Sequence, residues 1–280
     1  MGMIKKQNII ISNPETRDFL ADAFYPEEGR QLPLAIFVHG YKGYKDWGAW
    51  NLMAEKFAEA GFFFVKFNFS HNGTTVTDPL HFGDLEAFGN NNYAKELSDL
   101  GAVIDYFAGN DRIDTDKIIL IGHSRGGGIS IVKTHEDERI HGLVTLASVD
   151  TLDRFPKGEA FEKWKEEGVY FVVNGRTKQE MPHYYQFYED YERDKHRFDV
   201  ERATEMAKAH FLIVHGTGDE SVPVKNAEHL HLLHPNSELF LVEGADHTFG
   251  AREPWEYPEL PEKLAEVTGK CIGFLQEKMQ

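Results

Sequence analysis

Lys117-Ile118-Ile119-Leu120-Ile121-Gly122-His123-Ser124-Arg125-Gly126-Gly127-Gly128 is an apolar, β-branched run that closes on Gly122, a serine and three consecutive glycines. A helical pattern follows from Ile129 to Thr134. The run predicts strand, very tight turn and helix, with Gly-x-Ser-x-Gly at the turn. A serine at such a turn is held in a strained backbone conformation. Its neighbours two residues away on either side must be small, or their side chains collide. The geometry lifts the Ser124 oxygen clear of the sheet edge and aims the Arg125 N–H at any carbonyl it attacks. A glycine-rich loop at a helix N-terminus can instead cradle a phosphate. No Gly-Lys-Ser/Thr follows, which excludes a Walker A loop.

Outward from this stretch, apolar runs alternate with helical spacings. Asn8–Ser12 and Phe19–Tyr25 read as early edge strands, and Leu34–Val38 as a strand buried on both faces. Ala49–Ala60 carries Leu52, Met53 and Phe57 at helical spacing, and Gly61 caps it. Phe62–Phe69 is a strand, His71–Asn90 a long loop, and Asn92–Phe107 a helix with Leu97, Leu100, Val103, Ile104 and Phe107 on one side. Gly142–Ala147, His210–His215 and Glu238–Val242 are further strands, and Val224–Leu233 is a helix. Leu260–Met279 is a closing helix, with a break expected near Gly269. This alternation predicts an α/β fold with a mostly parallel central sheet and helices on both faces. In such sheets the ligand site lies at the carboxyl ends of the strands.

One interval breaks the alternation. Residues 148–209 contain Val169–Val173, an Asn174-Gly175 hairpin signal, and the aromatics Tyr184, Tyr185, Phe187, Tyr188 and Tyr191. They are expected to form a cap inserted into a core of 1–147 and 210–280. Tyr184, Tyr185 and Tyr188 are the expected substrate-binding residues.

A serine nucleophile needs a base, and the base needs an orienting acid. Asp219 follows a buried strand, in Gly216-Thr217-Gly218-Asp219, and is the expected acid, with Asp150 in reserve. His247, in Gly244-Ala245-Asp246-His247, follows the last strand and is the expected base. His39 is expected to brace its own loop, and His123 to point into the structure. The oxyanion donors are expected to be the backbone N–H groups of Arg125 and of Tyr41, which ends the Leu34–Val38 strand. His229, His231 and His234 are split across helix faces, and no His-Glu-x-x-His occurs. Neither a metal nor a cofactor is expected.

The chain's 280 residues, 41% hydrophobic, suffice for one large domain with a substantial core. A formal net charge of −16 argues against nucleic acid and anionic membrane as partners. Cys271 alone makes no disulfide framework and no cysteine zinc site. The first residues lack the apolar core of a signal peptide, and no stretch is long and apolar enough to span a membrane. A soluble cytoplasmic protein is therefore expected. The sequence leaves the oligomeric state open, a homodimer included.

His39-Gly40-Tyr41, Gly122-His123-Ser124-Arg125-Gly126, Gly216-Thr217-Gly218-Asp219 and Asp246-His247 together resemble the α/β-hydrolase superfamily in order and spacing. The resemblance is strongest to the dienelactone-hydrolase-like and serine aminopeptidase-like esterase branch. It implies acyl transfer to water through a serine-bound intermediate, without cofactor. The expected activity is hydrolysis of a small carboxylic ester, aryl or short acyl. An amide or peptide hydrolase is the alternative, with Asp84, Glu86, Glu189 or Asp190 available to hold a substrate amine. A small-molecule receptor on a hydrolase scaffold is another.

Overall fold

The computed structural model describes residues 2–279. An eight-stranded sheet runs through it in the order β1 (Met3–Ile11), β2 (Phe19–Pro26), β4 (Phe63–Phe67), β3 (Leu32–Val38), β5 (Ile113–His123), β6 (Ile140–Leu146), β9 (His210–Gly216) and β10 (Glu238–Val242). β2 pairs antiparallel with both β1 and β4. Every other pairing in this sheet is parallel.

Burial on both faces is written residue by residue. In β5, Ile118 and Leu120 enter the core on one side while Ile119 and Ile121 enter it on the other. In β3, Leu34 and Ile36 oppose Ala35 and Phe37 in the same way. Strand side chains alternate, so a run with no polar position needs a layer on each face. The first face is covered by α3 (Tyr93–Ala108), α4 (Arg125–Glu136), α7 (Val200–Glu205) and α8 (Lys225–Leu233). The second is covered by α1 (Trp50–Glu59) and α9 (Glu262–Lys278). Each fully buried Leu, Ile or Phe contributes about 1.5–3 kcal/mol of hydrophobic stabilisation. The mostly parallel sheet with helices on both faces is the α/β-hydrolase fold that the sequence predicts.

Local signals set the helix ends. The Asn92 side chain accepts the Lys95 N–H at 3.0 Å at the start of α3. Asp84 does the same for Ala87 at 2.9 Å and starts α2 (Leu85–Gly89), a short helix inside the expected 71–90 loop. α9 runs unbroken through Gly269, because Leu264, Val267, Thr268 and Cys271 on its buried side hold it against the sheet.

The interval 148–209 divides in two. α5 (Glu159–Glu167), an antiparallel hairpin of β7 (Val169–Val173) and β8 (Glu180–Tyr184), and α6 (Gln186–Asp194) form a separate unit with its own two-stranded sheet. α7, in contrast, packs on α4 and α8, so it belongs to the helical layer over the sheet rather than to an insertion. The expected tight Asn174-Gly175 turn is a longer loop over 174–179. The Asn174 side chain accepts the N–H groups of Arg176 and Thr177 instead of entering a two-residue turn.

Candidate active site

Ser124 has φ 56° and ψ −120°, the strained turn expected between β5 and α4. Small neighbours are compulsory here. A Cβ on Gly122 would lie 2.4 Å from the Gly126 carbonyl oxygen, and one on Gly126 would lie 2.2 Å from the Val38 carbonyl oxygen. Gly40 crosses directly over the serine, with an added Cβ only 2.8 Å from Ser124 Cβ.

His247 Nε2 lies 3.0 Å from Ser124 Oγ, and His247 Nδ1 lies 2.7 Å from Asp219 Oδ2. Asp219 Oδ1 accepts the N–H groups of Ser221 and Val222 at 2.8 and 2.9 Å. Burial by itself would raise the Asp219 carboxyl. Contacts from His215 and His247 and the Val222 N–H outweigh it and hold the group well below the ordinary carboxylate range. Asp150 is committed elsewhere, 2.9 Å from His229 Nδ1. His247 Nδ1 is met by Asp219 instead, which leaves Asp150 out of the reserve role.

The two expected oxyanion donors are uncommitted. Among the described residues, neither the Tyr41 nor the Arg125 backbone N–H has a hydrogen-bond partner. The loop carrying Tyr41 is pinned underneath by buried charges. Lys45 Nζ binds Asp22 at 2.8 Å and Asp46 at 2.6 Å, and Lys66 Nζ binds the same Asp22 oxygen at 2.6 Å. His39 braces the loop from within. Its Nε2 accepts the Phe69 N–H at 3.2 Å, which leaves Nδ1–H to donate to the Gly40 carbonyl at 2.9 Å. Burial lowers His39 to about 4, so the ring is neutral at pH 7. His123 likewise turns inward, with Nε2 2.9 Å from the His247 carbonyl oxygen.

Ser124 and His247 open into a cavity of about 490 Å³. Its aromatic walls include Phe155, Trp164, Tyr170 and Phe187. Tyr184, Tyr185 and Tyr188 are not among them, which corrects the expected substrate contacts. Tyr184 points outward and donates to Glu86 at 2.5 Å. Tyr185 and Tyr188 pack on Phe161, at ring distances of 6.1 and 4.7 Å, and stabilise the unit from its far side. The hairpin meets the core at His183, whose Nε2 is hydrogen-bonded to the Tyr41 hydroxyl at 2.7 Å. None of the acids available to hold an amine lines the cavity. Asp84 binds Arg17 at 2.7 Å, Glu86 binds Tyr184, and Asp190 is paired with Arg193. Glu189 is exposed.

The sequence pattern does not single out Lys42, Arg154 or the Arg125 side chain, yet all three line the cavity. Their address after β3, β6 and β5 was the available signal, since loops at that sheet end converge. A comparable cleft of about 610 Å³ lies at the opposite end of the sheet, beside Ile140 and His210, away from Ser124.

The profile of the prolyl oligopeptidase family matches residues 82–256, more than half of the chain. The chain belongs to the prolyl oligopeptidase family. It is thereby a member of the α/β-hydrolase superfamily, as the motifs imply. A curated relative, the uncharacterized protein YcjY of Escherichia coli strain K12, is 28% identical over 159 residues, 56% of this chain and 49% of that protein. This prolyl oligopeptidase family chain thus spans about half the length of the curated relative it matches. Among solved structures, Est1E from Butyrivibrio proteoclasticus with ferulic acid bound has a TM-score of 0.75 at 20% identity, covering 97% of this chain and 99% of that one. The esterase domain of a Rhodothermus marinus protein has a TM-score of 0.66 at 16% identity, covering 99% of both chains. A puromycin-hydrolyzing peptidase of Mycobacterium tuberculosis has a TM-score of 0.67 at 15% identity, covering 98% of this chain and 39% of that one. At these identities the structural likeness speaks for the fold.

Proposed function

We propose that this chain hydrolyses a small carboxylic ester, aryl or short acyl, with Ser124 as nucleophile, His247 as base and Asp219 as orienting acid. The observation that carries the reading is the continuous chain of contacts from Asp219 through His247 to Ser124, at 2.7 and 3.0 Å, opening into an aromatic cavity. Ser124 Oγ attacks the ester carbonyl while His247 Nε2 takes its proton. Asp219 keeps the other ring nitrogen protonated and the ring aligned. The Tyr41 and Arg125 N–H groups receive the negative charge that develops on the carbonyl oxygen. His247 then returns the proton to the leaving alcohol. Water repeats the sequence on the acyl-enzyme and releases the acid.

An ester is favoured over an amine-bearing peptide because, among the described residues, no carboxylate lines the cavity to hold an ammonium group. The names of two neighbours, an esterase domain and Est1E with ferulic acid, agree with that choice. The family description and the puromycin-hydrolyzing neighbour favour amide cleavage as the second reading. A panel of p-nitrophenyl esters and aminoacyl p-nitroanilides, assayed beside a fluorophosphonate label, separates the readings. Ester turnover with labelling confined to Ser124 is expected. Turnover of the anilides alone would reverse the choice. Slow binding with no turnover of any substrate would mean a receptor.

A further inference from the structure

In a chain of net charge −16, the cavity over Ser124 is lined, among the described residues, by Lys42, Arg125 and Arg154 and by no carboxylate. Resting on the hydrolase reading, we propose that the substrate carries a carboxylate besides the bond to be cut, and that these three cations bind it.

The cations are not committed elsewhere in the way surface charges are. Among the described residues, no carboxylate lies within 4.0 Å of Lys42 Nζ or of the Arg154 guanidinium. Arg125 has one partner, Glu96, whose Oε1 lies 3.2 Å from Nη1 and also accepts from Asn91 at 2.7 Å. The remaining Arg125 donors have no protein partner among the described residues.

Aromatic rings hold the Arg125 guanidinium in place. Its Cζ lies 4.5 Å from the Tyr41 ring centre, 5.7 Å from Tyr93 and 5.6 Å from Phe187. Rings that close over its surroundings leave the donor edge as its polar outlet. A guanidinium edge matches a planar carboxylate with two parallel hydrogen bonds. Lys42 Nζ lies 4.9 Å from the Tyr41 ring centre, on the same wall. The positive field reaches neighbouring groups. After burial, Arg125 is the next influence lowering Lys42, and Arg125 and Lys42 both help lower His183 to about 3. Lys42 and Arg125 are partly buried and Arg154 is exposed at the rim. Holding the buried pair of cations together is unfavourable without an anion, and a bound anion removes that repulsion.

Mono-p-nitrophenyl adipate and p-nitrophenyl hexanoate test the proposal, because they share chain length and leaving group and differ in a terminal carboxylate. The adipate should show a kcat/KM about tenfold to a hundredfold higher, the range of a hydrogen-bonded charge pair. Ionic strength of about 1 M, where the Debye length is about 3 Å, should narrow that ratio. The ratio should also collapse toward one in Lys42→Gln/Arg154→Gln and, separately, in Arg125→Gln; the double variant keeps the test open should Arg125→Gln fail to fold. Hexanoate hydrolysed as well as or better than adipate overturns the anion site and leaves the hydrolase reading standing. A preference that persists in both variants also overturns it. Release from neither ester, with Ser124 unlabelled by fluorophosphonate, overturns both.

Discussion

The sheet edge and the aromatic unit above it use their residues in opposite ways. At the edge, Ser124, Asp219 and His247 each follow a strand, and parallel register brings strand ends together whatever the loops contain. In the unit over residues 155–198, Tyr, Phe and Trp side chains chiefly hold one another. Phe155, Phe161, Trp164, Tyr185 and Tyr188 pack, mostly edge to face, at ring distances between 4.7 and 6.4 Å. Trp164 is 1% exposed, and its indole N–H donates to the His183 carbonyl at 2.8 Å. The lesson is that an aromatic-rich segment above an active site is first a small core, and only its inner side is a binding wall.

That contrast breaks most sharply at the edge. Ser124→Ala should lower kcat about a millionfold, as loss of the nucleophile does in a comparable triad, with an unchanged melting temperature. Asp219→Asn should cost about ten-thousandfold, because the amide favours the wrong imidazole tautomer. If Asp219→Asn retained wild-type turnover, the orienting acid would have to be another residue.

The aromatic unit should answer in stability. Phe198 is 1% exposed, packs on Tyr93 and Tyr191, and does not line the cavity. Phe198→Ala should destabilise by about 3–5 kcal/mol, read as a lowered denaturation midpoint, while the folded fraction keeps its KM. Phe187→Ala, on the cavity wall, should raise KM as well. Equal kinetic effects from the two would erase the distinction between core and wall.

Acid tests the bracing beneath the site. His39 and His123 are lowered, chiefly by burial, from an ordinary 6.5 to about 4 and about 3. The unfolded chain therefore takes up these protons first as pH falls. Their contribution is complete above pH 6.5 and is lost progressively toward pH 4 and 3, a few kcal/mol each by linkage. Asp99 works against them. Burial raises it from 3.8 to about 6, so its contribution is complete below 3.8 and lost as pH rises through 6. Burial raises Glu96 in the same way and lowers His71 and His183 to about 4 and about 3, so four histidines outweigh two acids and melting temperature should fall between pH 6.5 and 4. A melting temperature flat across that window would mean the buried histidines are reached by water.

The smallest effect belongs to α9. Gly269 is exposed, and an added Cβ meets nothing within 4 Å. Gly269→Ala should stabilise by about 0.5–1 kcal/mol, seen as a modest rise in melting temperature without kinetic change. A loss of stability would show that the helix needs a weak point there.

The sequence by itself determined the sheet, the turn at Ser124 and the order of Ser124, Asp219 and His247. These rest on local rules: alternation along a strand, helical spacing, and glycines where a Cβ would strike backbone at 2.2–2.4 Å. The Gly269 break and the Asn174-Gly175 turn also looked local, but packing of the buried side of α9 and the Asn174 side chain overrode them. Only the tertiary structure decided which aromatics face the cavity, that Asp150 serves His229, and that Lys42, Arg125 and Arg154 meet in one place. The physical reason is that a tyrosine fits a core or a wall equally well, and a lysine or arginine fits any solvated surface. Their roles depend on which elements pack against them, and those elements come from distant parts of the chain.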